Sequence, residues 1–175
     1  CSGGNGSDTG WGEAYEISYP AGYENSISVC PLGTNNSWNH WGTYHETIDL
    51  ASPGENIRSC TTPNNYASWD GSSMASPAAA SVFGLLKAYN MNWDNEMVKT
   101  MVLATADPII YSINSENYLN GMLGKGRVDA LKAISTPLFP KIEYSGEDIN
   151  IINDFDGDIN PGENIELSVI LFNNP

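Results

Sequence analysis

"SWDGSSMASPAAASVFGLL", residues 68–86, turns on Gly71 and passes straight into a run of small and apolar residues. Ala79, Val82, Phe83 and Leu86 recur at i, i+3, i+4 and i+7, the spacing of one helical face, so the stretch predicts a buried helix. Ala75, Ser76, Ala78, Ala79 and Ala80 fill its first turns and let neighbouring strands approach closely. Pro77 is expected near the helix start, where a missing N–H costs nothing. Two serines, Ser72 and Ser73, therefore stand at the helix entry. A serine there has unpaired N–H groups and the positive end of the helix dipole beside it, a setting that stabilises a developing anion. The plainer reading makes Ser72 or Ser73 an N-cap. The hydrolase elbow G-x-S-x-G is not matched, because Ala75 follows Met74.

Working outward, Asp94 is a good N-cap for a second helix with a stripe of Met97, Val98, Met101, Val102 and Thr105. "GKGRVDALKAI" (124–134) predicts a short third helix after a glycine turn. On the N-terminal side, "SISV" (26–29) and "TIDLASPG" (47–54) read as strands, and "NIRSCTTPNNYASWDG" as two strands joined at "TPNN". Residues 1 to about 25 read as loop. Apolar strands followed by helices predict an α/β layered fold with a parallel sheet. After Pro137 the helical period disappears, and alternating strand patterns (Ile149, Ile151; Ile165, Leu167, Val169) surround an acidic turn. The expected organisation is a first domain over 1–138 and the opening strands of a β-sandwich module over 141–175, with the boundary near Pro140.

Bulk properties narrow the function. The hydrophobic fraction of 41% supports a packed core and argues against disorder. Seven Lys and Arg against 21 Asp and Glu give a net charge of −14, a field that repels nucleic acid and anionic membranes. The longest apolar run, Pro77 to Leu86, is interrupted by Ser81 and Gly84 and is too short to span a bilayer. Three cysteines without CxxC spacing exclude a zinc ribbon or thioredoxin-like motif; they allow one disulfide without selecting its pair. No charged-then-apolar leader precedes Cys1, and both ends read as cut, so the chain is expected to be a piece of a longer protein.

"GSSMASPAAA" resembles the active-site segment of the subtilisin-like serine proteases, G-T-S-M-A-x-P followed by a helix. Ser72 replaces the usual Thr, and Ala78 stands where His is common. Four further blocks occur in the family's order: "SGGNG" resembles A-G-N-x-G, "SYPAGYENSISVC" resembles Y-P-A-x-Y-x-x-V-I-x-V, "WGTYHETIDLASPG" resembles S-x-x-G-x-x-V-D-L-x-A-P-G with about two residues inserted, and "GKGRVDALKAI" resembles the closing G-x-G-x-V-N-A helix.

The resemblance implies a partial three-layer subtilisin-like fold and a serine endopeptidase acting on protein or peptide substrates. It implies Ser73 as nucleophile and Asn5 as the side-chain donor to the oxyanion. It also implies that Ser2, Gly3, Gly4, Gly6 and Ser18 line the pocket for the residue before the scissile bond. That pocket is neutral, which suits large apolar side chains. The family's Asp and His motifs precede the Asn loop, so the 175 residues alone are expected to be inactive. His40 and His45 read as surface histidines; His45, Asp49 and Ser73 copy a chymotrypsin-like order, but His45 and Asp49 lie too close along the chain for that geometry. The implied location is extracellular. No cofactor is needed for the chemistry, though structural calcium is common in the family. "NDFDGDINPGE" (153–163) concentrates Asp154, Asp156, Asp158 and Glu163; it reads either as an acidic solvated turn or as a calcium site. A second overall reading is a non-catalytic relative that keeps the fold for binding.

Overall fold

A computed structural model of the protein describes residues 1–6, 14–38, 41–136, 141–152 and 164–174. The chain divides into two compact units, Cys1–Thr136 and Pro137–Pro175. In the first, β2 (Val29–Leu32) and β4 (Leu50–Pro53) run parallel, with Val29 opposite Leu50 and Leu32 opposite Pro53. Every residue of β2 is buried, as expected for a strand covered on both faces. Both strands start later than the sequence predicts, for a definite reason. The Ser28 carbonyl accepts from the N–H groups of Asp49 and Leu50, and the Ser28 N–H donates to the Asp49 carboxylate at 2.8 Å. Those groups are spent on a local clasp before the ladder begins.

β1 (Ala14–Tyr15), inside the stretch that reads as loop from sequence, pairs in parallel with β3 (Thr43–Tyr44). The expected hairpin is present: β5 (Ile57–Thr61) pairs antiparallel with β6 (Asn65–Trp69). Asn64 closes its turn at φ 50, a conformation that Asn tolerates.

Helix α1 (Ser72–Tyr89) packs on β2 and β4 and buries Ala75, Ala79, Val82 and Leu86, while Phe83 is partly exposed. Pro77 lies deeper than the sequence reading puts it. As the sixth residue of the helix, it leaves the Ser73 carbonyl without the N–H four residues on. Helix α2 (Asn95–Ala104) starts as expected, with the Asp94 side chain accepting from the Met97 N–H at 2.7 Å, and buries Val98, Met101 and Val102. Short α3 (Ile110–Ile113) precedes α4 (Ala130–Ser135). The third predicted helix thus begins six residues later than its motif. Gly126 and Val128 are not helical but exchange backbone hydrogen bonds with Ala51 at 2.8 Å each.

Alternation along the strands separates two apolar clusters. Val29 and Leu50 join Ala75, Ala79, Leu86, Met101 and Val102 on the helical side. Cys30, Leu32 and Ala51 join Trp38, Ile48, Ile110, Leu119 and Leu123 on the other. The unit is α/β with a parallel sheet between layers, as the sequence predicts. All three cysteines are free thiols; Cys30 is fully buried, and desolvation pushes its thiol up to about 12. In the second unit, β7 (Lys141–Ile152) and β8 (Asn164–Asn174) form an antiparallel pair with an irregularity between Tyr144 and Gly146. Asp154, Asp156, Asp158 and Glu163 lie outside the described residues.

Candidate active site

Gly71, not a serine, occupies the N-cap position of α1, and no side chain caps it. Ser72 and Ser73 are the first two helical residues, so the N-cap reading of either does not hold. Their surroundings differ sharply. Ser72 is 2% exposed, and Ser73 faces solvent. The Ser72 N–H donates to Asn5 Oδ1 at 2.8 Å, and the Ser72 hydroxyl donates to the same oxygen at 2.8 Å. The Gly4 N–H in turn donates to Ser72 Oγ at 3.3 Å. One orphan N–H of the helix start is therefore satisfied by a side chain from far along the chain.

With its oxygen held by two donors, the Asn5 carboxamide has a fixed orientation, and its NH₂ is unspent among the described residues. Its Nδ2 lies 3.4 Å from where a Cβ on Gly71 would stand. Gly71 sits at φ 151, so a side chain there would be strained, and its Cβ would stand in van der Waals contact with that amide. Among the described residues, nothing hydrogen-bonds Asn5 Nδ2, the Ser73 N–H or the Ser73 hydroxyl. The exposed serine and the free amide donor therefore belong to one junction.

The loop carrying Asn5 is held from behind by Thr43. Thr43 is fully buried; its Oγ1 accepts from the Gly6 N–H at 3.0 Å and its N–H donates to the Gly4 carbonyl at 3.3 Å. Gly4 adopts φ 112, and a Cβ there would collide with the Thr43 hydroxyl while standing 3.5 Å from Ser18 Cβ. Gly4, Gly6 and Ser18 thus gather around one support. Ser2 instead bridges to Val29, and Gly3 is buried with its N–H donating to the Val29 carbonyl at 2.9 Å. These two tie the loop to the sheet. Sequence reasoning missed the roles of Ser72 and Thr43. The hydroxyl of Ser72 stood beside the singled-out serine, whereas the contact of Thr43 joins segments far apart in sequence and leaves no local signal.

On its other flank, Ser73 lines a cavity of about 250 Å³ together with Met74 and Pro77 of α1 and Ile57, Cys60 and Trp69 of the hairpin. Trp69 is 57% exposed. The His45 side chain is engaged within its own loop: Nδ1 accepts from the Thr47 N–H at 3.1 Å, and Nε2 stands 3.2 Å from the Glu46 carboxylate. The Tyr15 hydroxyl donates to that carboxylate at 2.8 Å, which holds the Glu46 carboxyl below its ordinary value and raises the Tyr15 phenol. Asp49 is committed to the Ser28 N–H. His40 lies outside the described residues. No group of three metal-ligating side chains occurs among the described residues, and no described helix is long and apolar enough to cross a membrane.

Against known proteins, the subtilase family model (Peptidase_S8) matches residues 1–129. Subtilisin BL of Lederbergia lenta is 34% identical over 117 residues, covering 67% of this chain and 40% of that protein. Thermitase of Thermoactinomyces vulgaris is 35% identical over 116 residues, covering 66% of this chain and 38% of that protein. The chain thus spans about two fifths of the length of these relatives. Among solved structures, the prenylagaramide maturation protease PagA superposes with a TM-score of 0.61 at 20% identity, over 67% of this chain and 44% of that one. The self-cleaved protease domain of PatA gives 0.57 at 18% identity, over 68% and 44%. At these identities the structural matches speak to the fold.

Proposed function

The chain belongs to the subtilase family, and from that premise we propose that the intact protein is a serine endopeptidase in which Ser73 is the nucleophile. The observation that carries the reading is the pair of hydrogen bonds from Ser72 to Asn5 Oδ1, which orients a free carboxamide donor at the helix turn bearing an exposed serine. Ser73 Oγ attacks the scissile carbonyl carbon, and the carbonyl oxygen becomes an oxyanion. Asn5 Nδ2–H and the Ser73 N–H donate to that oxygen, acting on charge that exists only in the transition state.

A serine hydroxyl is weakly nucleophilic at neutral pH and needs a base. The proposed base is a histidine oriented by an aspartate, both outside this chain; it takes the Ser73 proton and delivers it to the leaving amine. Water then cleaves the acyl-enzyme by the same route. Gly4, Gly6 and Ser18 form the uncharged wall beside the substrate residue preceding the scissile bond, favouring a large apolar side chain. The proposed setting is extracellular, and the chemistry draws on no cofactor.

The test is covalent labelling of the intact protein with a serine-directed fluorophosphonate. Labelling that disappears in Ser73→Ala supports the endopeptidase. An intact wild-type protein that neither labels nor cleaves casein overturns it and leaves a binding role for the fold.

A further inference from the structure

We propose that Thr43 is a positioning residue for Asn5: its buried hydroxyl sets the loop that aims the Asn5 amide. The inference rests on the endopeptidase reading and adds a residue to it. Asn5 is flanked by Gly4 and Gly6, both at positive φ, so nothing in the loop's own side chains fixes its path. Two outside clamps supply the constraint. Ser72 grips the Asn5 side chain, and Thr43 grips the backbone on either side of it.

The Thr43 clamp is built from both halves of the residue. Its N–H donates to the Gly4 carbonyl at 3.3 Å, and its Oγ1 accepts from the Gly6 N–H at 3.0 Å. One residue thus spans the three-residue loop, with Asn5 at its apex. Gly4 lies flat against the hydroxyl, close enough that no Cβ would fit between them. Thr43 is itself fully buried, and as part of β3 it pairs with Ala14 of β1. The backbone bond would survive any substitution that keeps the residue-43 N–H. The hydroxyl bond is lost with any side chain that lacks the acceptor, which leaves the Gly6 N–H without its partner in a partly buried site. Rotation about Gly6 would then swing the Asn5 amide against the Ser72 grip. The contact with Ser72 holds the carboxamide oxygen, and the contact with Thr43 holds the Cα that carries it; only together do they define where Nδ2 points.

A role confined to stability would weaken folding without selecting a kinetic step. A role in aiming Asn5 makes three specific demands on the intact protein assayed with a peptide substrate. Thr43→Val, which keeps volume and removes the acceptor, should lower kcat about tenfold with KM changed less than twofold, the loss expected of one misaligned hydrogen bond. Thr43→Ser, which restores the acceptor, should recover at least half of wild-type kcat. In an Asn5→Ala background, Thr43→Val should cost less than twofold more, because its effect passes through Asn5. Wild-type kcat in Thr43→Val overturns the proposal, as does a loss of the same size in the Asn5→Ala background or one that appears only in KM. Should Thr43→Val fold poorly, Thr43→Ala supplies the same cycle. An inactive wild-type protein would instead remove the endopeptidase reading, and this proposal with it.

Discussion

The two flanks of Ser73 are built differently. On one side, Ser72 from α1 and Thr43 from β3, both distant in sequence, hydrogen-bond the Asn5 loop at 2.8, 2.8, 3.3, 3.0 and 3.3 Å, and Ser18 lies near Gly4. On the other side, a two-stranded hairpin stands over an open cavity and leaves Tyr66 60% and Trp69 57% exposed. Donors that must meet a charge lasting only through the transition state gain from being fixed beforehand, since no reorganisation is then needed at the moment of reaction. A wall that merely accommodates a side chain carries no such requirement. On the proposed reading, the fixed flank is the one that requires precision.

That contrast can be broken at several points. The largest effect is expected on the fixed flank: Asn5→Ala in the intact protein should lower kcat by about 10²–10³ with normal folding, a magnitude known from subtilisin itself, and steady-state kinetics with circular dichroism would check both. Ser72→Ala should be milder, because the Ser72 N–H still holds Asn5 Oδ1. Loss of the hydroxyl donor alone predicts a drop in kcat of about three- to tenfold. The smallest effect belongs to the open flank. Tyr66 meets the Arg58 guanidinium at 5.7 Å on the hairpin surface, so Tyr66→Ala should change stability by no more than about 0.5 kcal/mol in urea unfolding and leave kcat within twofold. A large kcat loss in Tyr66→Ala alongside a mild one in Asn5→Ala would reverse the assignment of the two flanks.

Much of this was legible in the chain because the responsible forces are local. The period of Ala79, Val82 and Leu86 located α1, Asp94 announced α2, and "TPNN" announced the hairpin. Errors arose where a distant partner decided the outcome. The stretch before Ala130 stays extended because Ala51 takes its backbone hydrogen bonds, and no helical propensity in "GKGRVDALKAI" reports that pairing. β2 starts at Val29 because Asp49 captures Ser28. At the candidate site, the short blocks around Asn5 and Ser73 marked both residues. The hydroxyl contacts of Ser72 with Asn5 and of Thr43 with Gly6 were not readable, since they join residues 67 and 37 positions apart along the chain.

In the proposed mechanism the Asn5 carboxamide, held by Ser72 and Thr43, donates to the oxygen that becomes negative when Ser73 attacks. A crystal structure of the intact protein with a peptide boronate or phosphonate on Ser73 tests it most directly. Asn5 Nδ2 is expected at about 2.7–3.1 Å from the oxygen that mimics the oxyanion, with the Ser72 bonds to Oδ1 kept. An adduct on Ser73 whose oxygen points away from Asn5, with no hydrogen bond from Nδ2, would contradict it.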